Sequence, residues 1–135
     1  MTLPPDSPAQ KTVVRPIDRK ISWPCPGEIL YLDGKLEGIM IRTLPGESSK
    51  AVAGGLVVSA GPARGFGQVA FVQSSSGHIY VYGGNDSLSV SIGDSVKAGQ
   101  SIGKIGIDSK DGGPVAYFIV FRDGVSIDPA KAPRD

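Results

Sequence analysis

From residue 21 onward the chain is a succession of short apolar runs, each cut off by Gly, Pro, Asp, Asn or Ser. Runs at 28–32, 38–42, 56–60, 68–73, 78–82, 101–107 and 115–121 are rich in Val, Ile, Tyr and Phe. They are of strand length and recur at roughly ten-residue spacing. No window sustains a 3.6-residue apolar repeat, so long amphipathic helices are excluded. Gly 19 and Pro 11 in 135 residues supply the turns that such a pattern needs. The class is all-β, built of antiparallel sheets.

Two hairpins can be placed. Residues 68–73, the Ser-Ser-Ser-Gly turn at 74–77 and residues 78–82 form one. Its second strand puts His78, Tyr80 and Tyr82 on one face and Ile79 and Val81 on the other, because side chains alternate. Ile79 and Val81 are the expected core residues, and the tyrosine face is expected to look onto a groove or solvent. The alternative is that the tyrosines half-bury and satisfy their hydroxyls locally. Asp123-Gly124 is the second hairpin turn.

Residues 1–20, with Pro4, Pro5, Pro8 and Pro16 among polar neighbours, have little to bury and are expected to form a flexible tail or linker. Residues 21–129 form the domain, and 130–135 a C-terminal tail. Formal charge is +1, which argues against a nucleic-acid partner. The single cysteine, Cys25, allows no intrachain disulfide and is expected to be a small buried apolar residue. No stretch is long and apolar enough for a transmembrane segment, and no signal-peptide pattern opens the chain. His78, the only histidine, has no second His or carboxylate in its pattern and is expected to be a half-exposed strand residue. Gly61-x-x-x-Gly65-x-Gly67 leads into a strand rather than a helix, which argues against a phosphate cradle.

Residues 89–106 read V-x-x-G-D-x-V-K-A-G-Q-x-I-G-x-I-G from Val90, a compact double turn bracketing Val96. Two families use it. In biotinyl/lipoyl carrier domains a modified lysine sits at a hairpin tip; Lys110, among Asp108, Ser109 and Asp111, is the position available here. The other family fits over most of the chain. Trp23-Pro24-x-x-Gly27, Glu37-Gly38-Ile39-x-Ile41, 52–61, Arg64-Gly65-Phe66-Gly67, Tyr82-Gly83-Gly84-Asn85-Asp86, Gly113-Pro114-Val115-Ala116-Tyr117-Phe118-Ile119 and Asp123-Gly124-x-x-Ile127-Asp128-Pro129 follow one another in its order. Together they resemble the LytM/lysostaphin-type zinc endopeptidases. That resemblance implies the duplicated-hybrid-motif type of all-β fold, with a groove across the sheet.

Active members bind zinc through H-x-x-x-D and the second His of H-x-H, with two further histidines assisting. Mapped by the resemblance, these positions are Leu36, Met40, Tyr117, Val115 and Gly84. Leu, Met, Val and Gly give zinc no ligand, and a lone phenol with a pKa of about 10 is a poor one. The resemblance therefore implies a pseudo-peptidase with no cofactor and no catalytic residues. Its former active-site positions and rim, Leu36, Met40, Gln73, Tyr80, Tyr82, Gly84, Asn85, Val115 and Tyr117, would form a binding groove. The implied partner is a peptidoglycan hydrolase, of the amidase-activator type, or peptidoglycan itself, with association with other envelope proteins. The implied place is the periplasm or cell envelope. A residual hydrolase with an altered site and the carrier domain are the alternatives.

Overall fold

The protein is described by a computed structural model covering residues 12–13, 22–32, 37–44, 46–108 and 113–134. Its strands are β1 (Thr12–Val13), β2 (Glu28–Leu32), β3 (Ile39–Arg42), β4 (Ser48–Lys50), β5 (Gly55–Ala63), β6 (Gly67–Gln73), β7 (Ile79–Leu88), β8 (Ser95–Val96), β9 (Ser101–Ile105), β10 (Ile107–Asp108), β11 (Gly113–Arg122) and β12 (Val125–Ile127). Strand order across the main sheet is β1-β2-β3-β11-β7-β6-β5-β8, and every pairing is antiparallel. The far end of β7 leaves this sheet to pair with β9, which also pairs with β4. The all-β expectation holds.

Central strand β11 explains the continuous apolar run at 115–121. Ala116, Phe118 and Val120 enter one hydrophobic cluster, while Val115, Tyr117 and Ile119 enter a second on the opposite face. A strand buried on both faces loses the apolar/polar alternation of a half-exposed one. The first cluster is the larger. Ile39, Ile41, Val72 and Phe118 share it with Ile102 and Ile105 of the second layer formed by β4 and β9, and with Val52 and Val96.

Both hairpins form as the sequence predicts. β6 and β7 pair through Ala70↔Tyr82 and Val72↔Tyr80, and β11 and β12 through Arg122↔Val125. Asp123 (φ 53°) and Gly124 (φ 79°) both take the positive φ that suits a two-residue hairpin turn.

The expected orientation of the tyrosines is overturned. Tyr80 and Tyr82 are fully buried and stack on Phe118 at ring distances of 6.2 and 5.5 Å. The Tyr82 hydroxyl accepts a hydrogen bond from the Val52 amide at 3.0 Å, and the Tyr80 hydroxyl donates to the Pro133 carbonyl. Ile79 and Val81 serve the smaller cluster instead. Alternation is as expected; what differs is that both faces are buried and the second layer covers the tyrosine side. His78 is buried rather than half-exposed, with Nδ1 2.8 Å from the Ser76 hydroxyl.

Two segments expected to be tails contribute structure. Thr12–Val13 pairs with Tyr31 and Leu32 of β2. At the other end a 3-10 turn, Pro129–Lys131, is capped by Asp128, whose Oδ1 accepts from the Ala130 amide at 3.0 Å. Beyond it Ala132 is buried. Arg134 lies 5.0 Å over the Trp23 ring and 5.7 Å over Phe118, and its Nε donates to the Ser22 carbonyl at 3.0 Å. Its Nη1 donates to the carbonyls of Pro129 and Ala132. Burial pulls the Arg134 guanidinium below the usual arginine range, with Tyr80, Tyr82, Tyr31 and Asp128 acting in the opposite direction.

Cys25 is buried, as the sequence predicts. Burial pushes its thiol from 9.0 to about 11, with nearby Thr43 pulling the other way and Glu47 adding to the rise. Thiolate is the reactive species, so folded protein at pH 8 should resist a disulfide-exchange reagent and react once denatured. Prompt labelling without denaturant would contradict this. The unfolded thiol ionises near 9.0 and the folded one near 11, so across that window the unfolded chain holds fewer protons. The contribution of Cys25 to stability is therefore intact below 9 and declines as pH rises towards 11.

Candidate functional site

Antiparallel register brings the sequence-predicted positions of β3, β7 and β11 side by side. Tyr117 is paired with Met40 on one side and Gly83 on the other. Val115, two residues earlier, shares the face of Tyr117, and both belong to the smaller hydrophobic cluster with Met40. The β5–β6 turn folds over this point. Phe66 packs edge-on against the Tyr117 ring, with centroids 5.1 Å apart and planes at 82°. The Phe66 carbonyl accepts from the Gly84 amide, and the Gly84 carbonyl accepts from the Gly106 amide at 3.1 Å.

An open cavity of about 500 Å3 lies here. Its wall is the turn from Pro62 to Gln68. Its other lining residues are Gly84, Asn85, Asp86, Gly106, Val115 and Tyr117. Phe66, Val115 and Tyr117 are buried and apolar, whereas Arg64 and Asp86 are exposed at the rim. A floor of this kind takes an apolar or aromatic group, with charge recognised only at the edge.

Gly84 is where local geometry decides most. Its φ is +82°, and a Cβ built on it would lie 2.1 Å from the Val115 carbonyl oxygen. Only glycine fits that backbone without moving β7 from β11. Asn85 is buried; its Nδ2 donates to the carbonyls of Gln68 at 3.0 Å and Tyr82 at 3.1 Å.

Of the nine positions expected in the groove, Gly84, Asn85, Val115 and Tyr117 line the cavity. Met40 sits beside Tyr117 within the cluster beneath. Tyr80 and Tyr82 are in the opposite core and do not form a rim. Gln73 is exposed at the far end of β6, five residues from the cavity-lining Gln68, or roughly 17 Å at a strand's rise. Leu36 lies outside the described residues, as does Lys110 of the carrier alternative. Arg64, Phe66, Gln68, Asp86 and Gly106 were not anticipated as lining. The Arg64-Gly65-Phe66-Gly67 turn was the available signal: an aromatic between two glycines marks a turn that folds back on its own sheet.

Residues 34–129 match Peptidase family M23. The chain belongs to this family. It is 36% identical over 114 residues to the murein hydrolase activator EnvC of Escherichia coli (strain K12), covering 79% of this chain and 27% of the activator. To the lipoprotein NlpD/LppB homolog of Pseudomonas aeruginosa it is 34% identical over 132 residues, covering 94% of this chain and 44% of the lipoprotein. The chain thus spans less than half the length of these relatives. Among solved structures, the catalytic domain of the antimicrobial peptidase lysostaphin from Staphylococcus simulans superposes with a TM-score of 0.62. It is 28% identical, over 70% of this chain and 78% of that domain.

Proposed function

We propose that this M23 domain is non-catalytic and uses its cavity to bind and regulate a peptidoglycan hydrolase in the cell envelope, in the manner of an amidase activator. The observation behind the reading is the chemistry of the converging positions. Where the resemblance maps the family's zinc site, Met40, Val115 and Tyr117 share one hydrophobic cluster, and Gly84 has no room for a side chain. Among the described residues no three His, Cys, Asp or Glu side chains gather. Zinc needs three N, O or S donors and an open fourth position, and a thioether, an aliphatic, a phenol and a glycine do not fit that requirement.

An apolar floor with a charged rim suits the apolar face of a peptide segment or helix. The name of the murein hydrolase activator EnvC supports regulation of a hydrolase, and the lipoprotein relative supports an envelope location. Peptidoglycan itself is the second candidate for the same cavity.

The paired charge swap Arg64→Glu and Asp86→Lys tests this, since both side chains are exposed and line the cavity. Purified chain is mixed with each cell-wall amidase of the same organism and dye-labelled murein. Wild type should raise dye release, and the swap should reduce that stimulation by about tenfold or more, the effect of losing about 1.4 kcal/mol of binding. Equal stimulation by both proteins would remove the cavity from the function. Dye release by the chain alone would overturn the non-catalytic reading.

A further inference from the structure

Asn85 stands at an irregular point of two ladders. Pairing between β6 and β7 shifts register between Gln68 and Ala70, and Asn85 is the partner of Gln68. Pairing between β7 and β9 shifts between Asn85 and Ser87. Where a ladder slips, backbone carbonyls lose their regular N–H partners. Here the Asn85 amide donates to the Gln68 and Tyr82 carbonyls. On the other side it fills the space left by Gly103, where an added Cβ would lie 2.8 Å from Asn85 Oδ1.

These contacts turn the side chain to its own scaffold. The Gln68 carbonyl ends the turn that walls the cavity. That turn is held within itself by the Phe66 amide donating to the Ala63 carbonyl at 2.9 Å, and to β7 by the Gly84 amide donating to Phe66. The bond from Asn85 is a further tether at its β6 end, beside the pairing of Pro62 with Gln68 and Ala63 with Gly67.

We infer that Asn85 is a positioning residue that holds the 64–67 turn as a wall of the cavity, and that it acts on a bound partner through this turn rather than by touching it. The inference rests on the reading of the cavity as the partner site. It predicts that removing the two donors loosens residues 64–68 and weakens the site, with the rest of the sheet unchanged.

The test compares wild type with Asn85→Leu, which keeps the branching of the side chain, is bulkier, and removes the donors. Asn85→Ser serves as a smaller, polar second variant should the first fail to fold. Hydrogen exchange is followed by mass spectrometry, and stimulation of each cell-wall amidase of the same organism on dye-labelled murein is measured alongside. Exchange at 64–68 and 84 should accelerate by about tenfold or more, while β2 and β3 exchange at wild-type rates, and stimulation should fall by a comparable factor. Unchanged exchange at 64–68, or acceleration spread evenly over the sheet, would overturn the inference. Faster local exchange with undiminished stimulation would overturn it too. The charge swap at Arg64 and Asp86 separates the two levels. If the swap abolishes stimulation and the Asn85 variants do not, the inference fails and the partner site stands; if neither matters, the partner site itself is wrong.

Discussion

Phe118→Ala should lower folding stability by about 3–5 kcal/mol, the range for deleting a buried aromatic ring. The ring is fully buried, stacked by Tyr80 and Tyr82, met edge-on by Trp23 at 6.2 Å and covered by Arg134. Removing it takes away the common partner of four side chains from three parts of the chain. With a total stability of about 5–15 kcal/mol typical of a small domain, such a variant stands near the limit of folding. Denaturant unfolding followed by circular dichroism measures it. A loss under about 1 kcal/mol would show that the surrounding rings close the gap and that the cluster is not the centre of the fold.

Gly84→His, which would put a histidine where the resemblance maps the family's assisting one, should be comparably damaging. A non-glycine residue at φ +82° carries a backbone penalty of about 1–2 kcal/mol. The added Cβ would also overlap the Val115 carbonyl, which lies 2.1 Å away. Relief requires β7 and β11 to separate at the centre of the sheet. The combined expectation is a loss of about 3 kcal/mol or more, without gain of zinc in a calorimetric titration. Tolerance within about 1 kcal/mol, or stoichiometric zinc in the variant, would contradict the view that this backbone has moved away from metal chemistry.

Much of the scaffold was legible because local chemistry dictates it. Asp123-Gly124 can turn a hairpin whatever packs around it, and the Val115–Phe121 run fits a strand covered on both sides. That Met40 and Tyr117 converge on one site was legible only through resemblance, and their pairing was not read at all, since nothing local to either residue sets their register. Tyr80 and Tyr82 were misjudged for a physical reason. Alternation says which side chains share a face, but the face that receives a second layer is settled by β4 and β9, distant in sequence. Gln73 went wrong along the strand rather than across it: the hairpin was right, and the cavity lies at its opposite end. Asn85 was assigned to the rim through the family resemblance of Tyr82–Asp86, and nothing local to that segment shows that it is buried. The register slips that bury it arise only when three strands meet.

The hydrogen bond from Arg134 to Ser22 makes the path of the chain nearly a closed ring. Ser22 and Arg134 are held together on the side where Trp23 sits, while Thr12–Val13, earlier in the chain, is paired to the edge of β2. Tension from the N-terminal side would bear first on the pairing of Thr12–Val13 with β2, and tension applied beyond Arg134 on that clasp. The cavity, supported by β7, β11 and the 64–67 turn, would keep its shape through small pulls at either attachment.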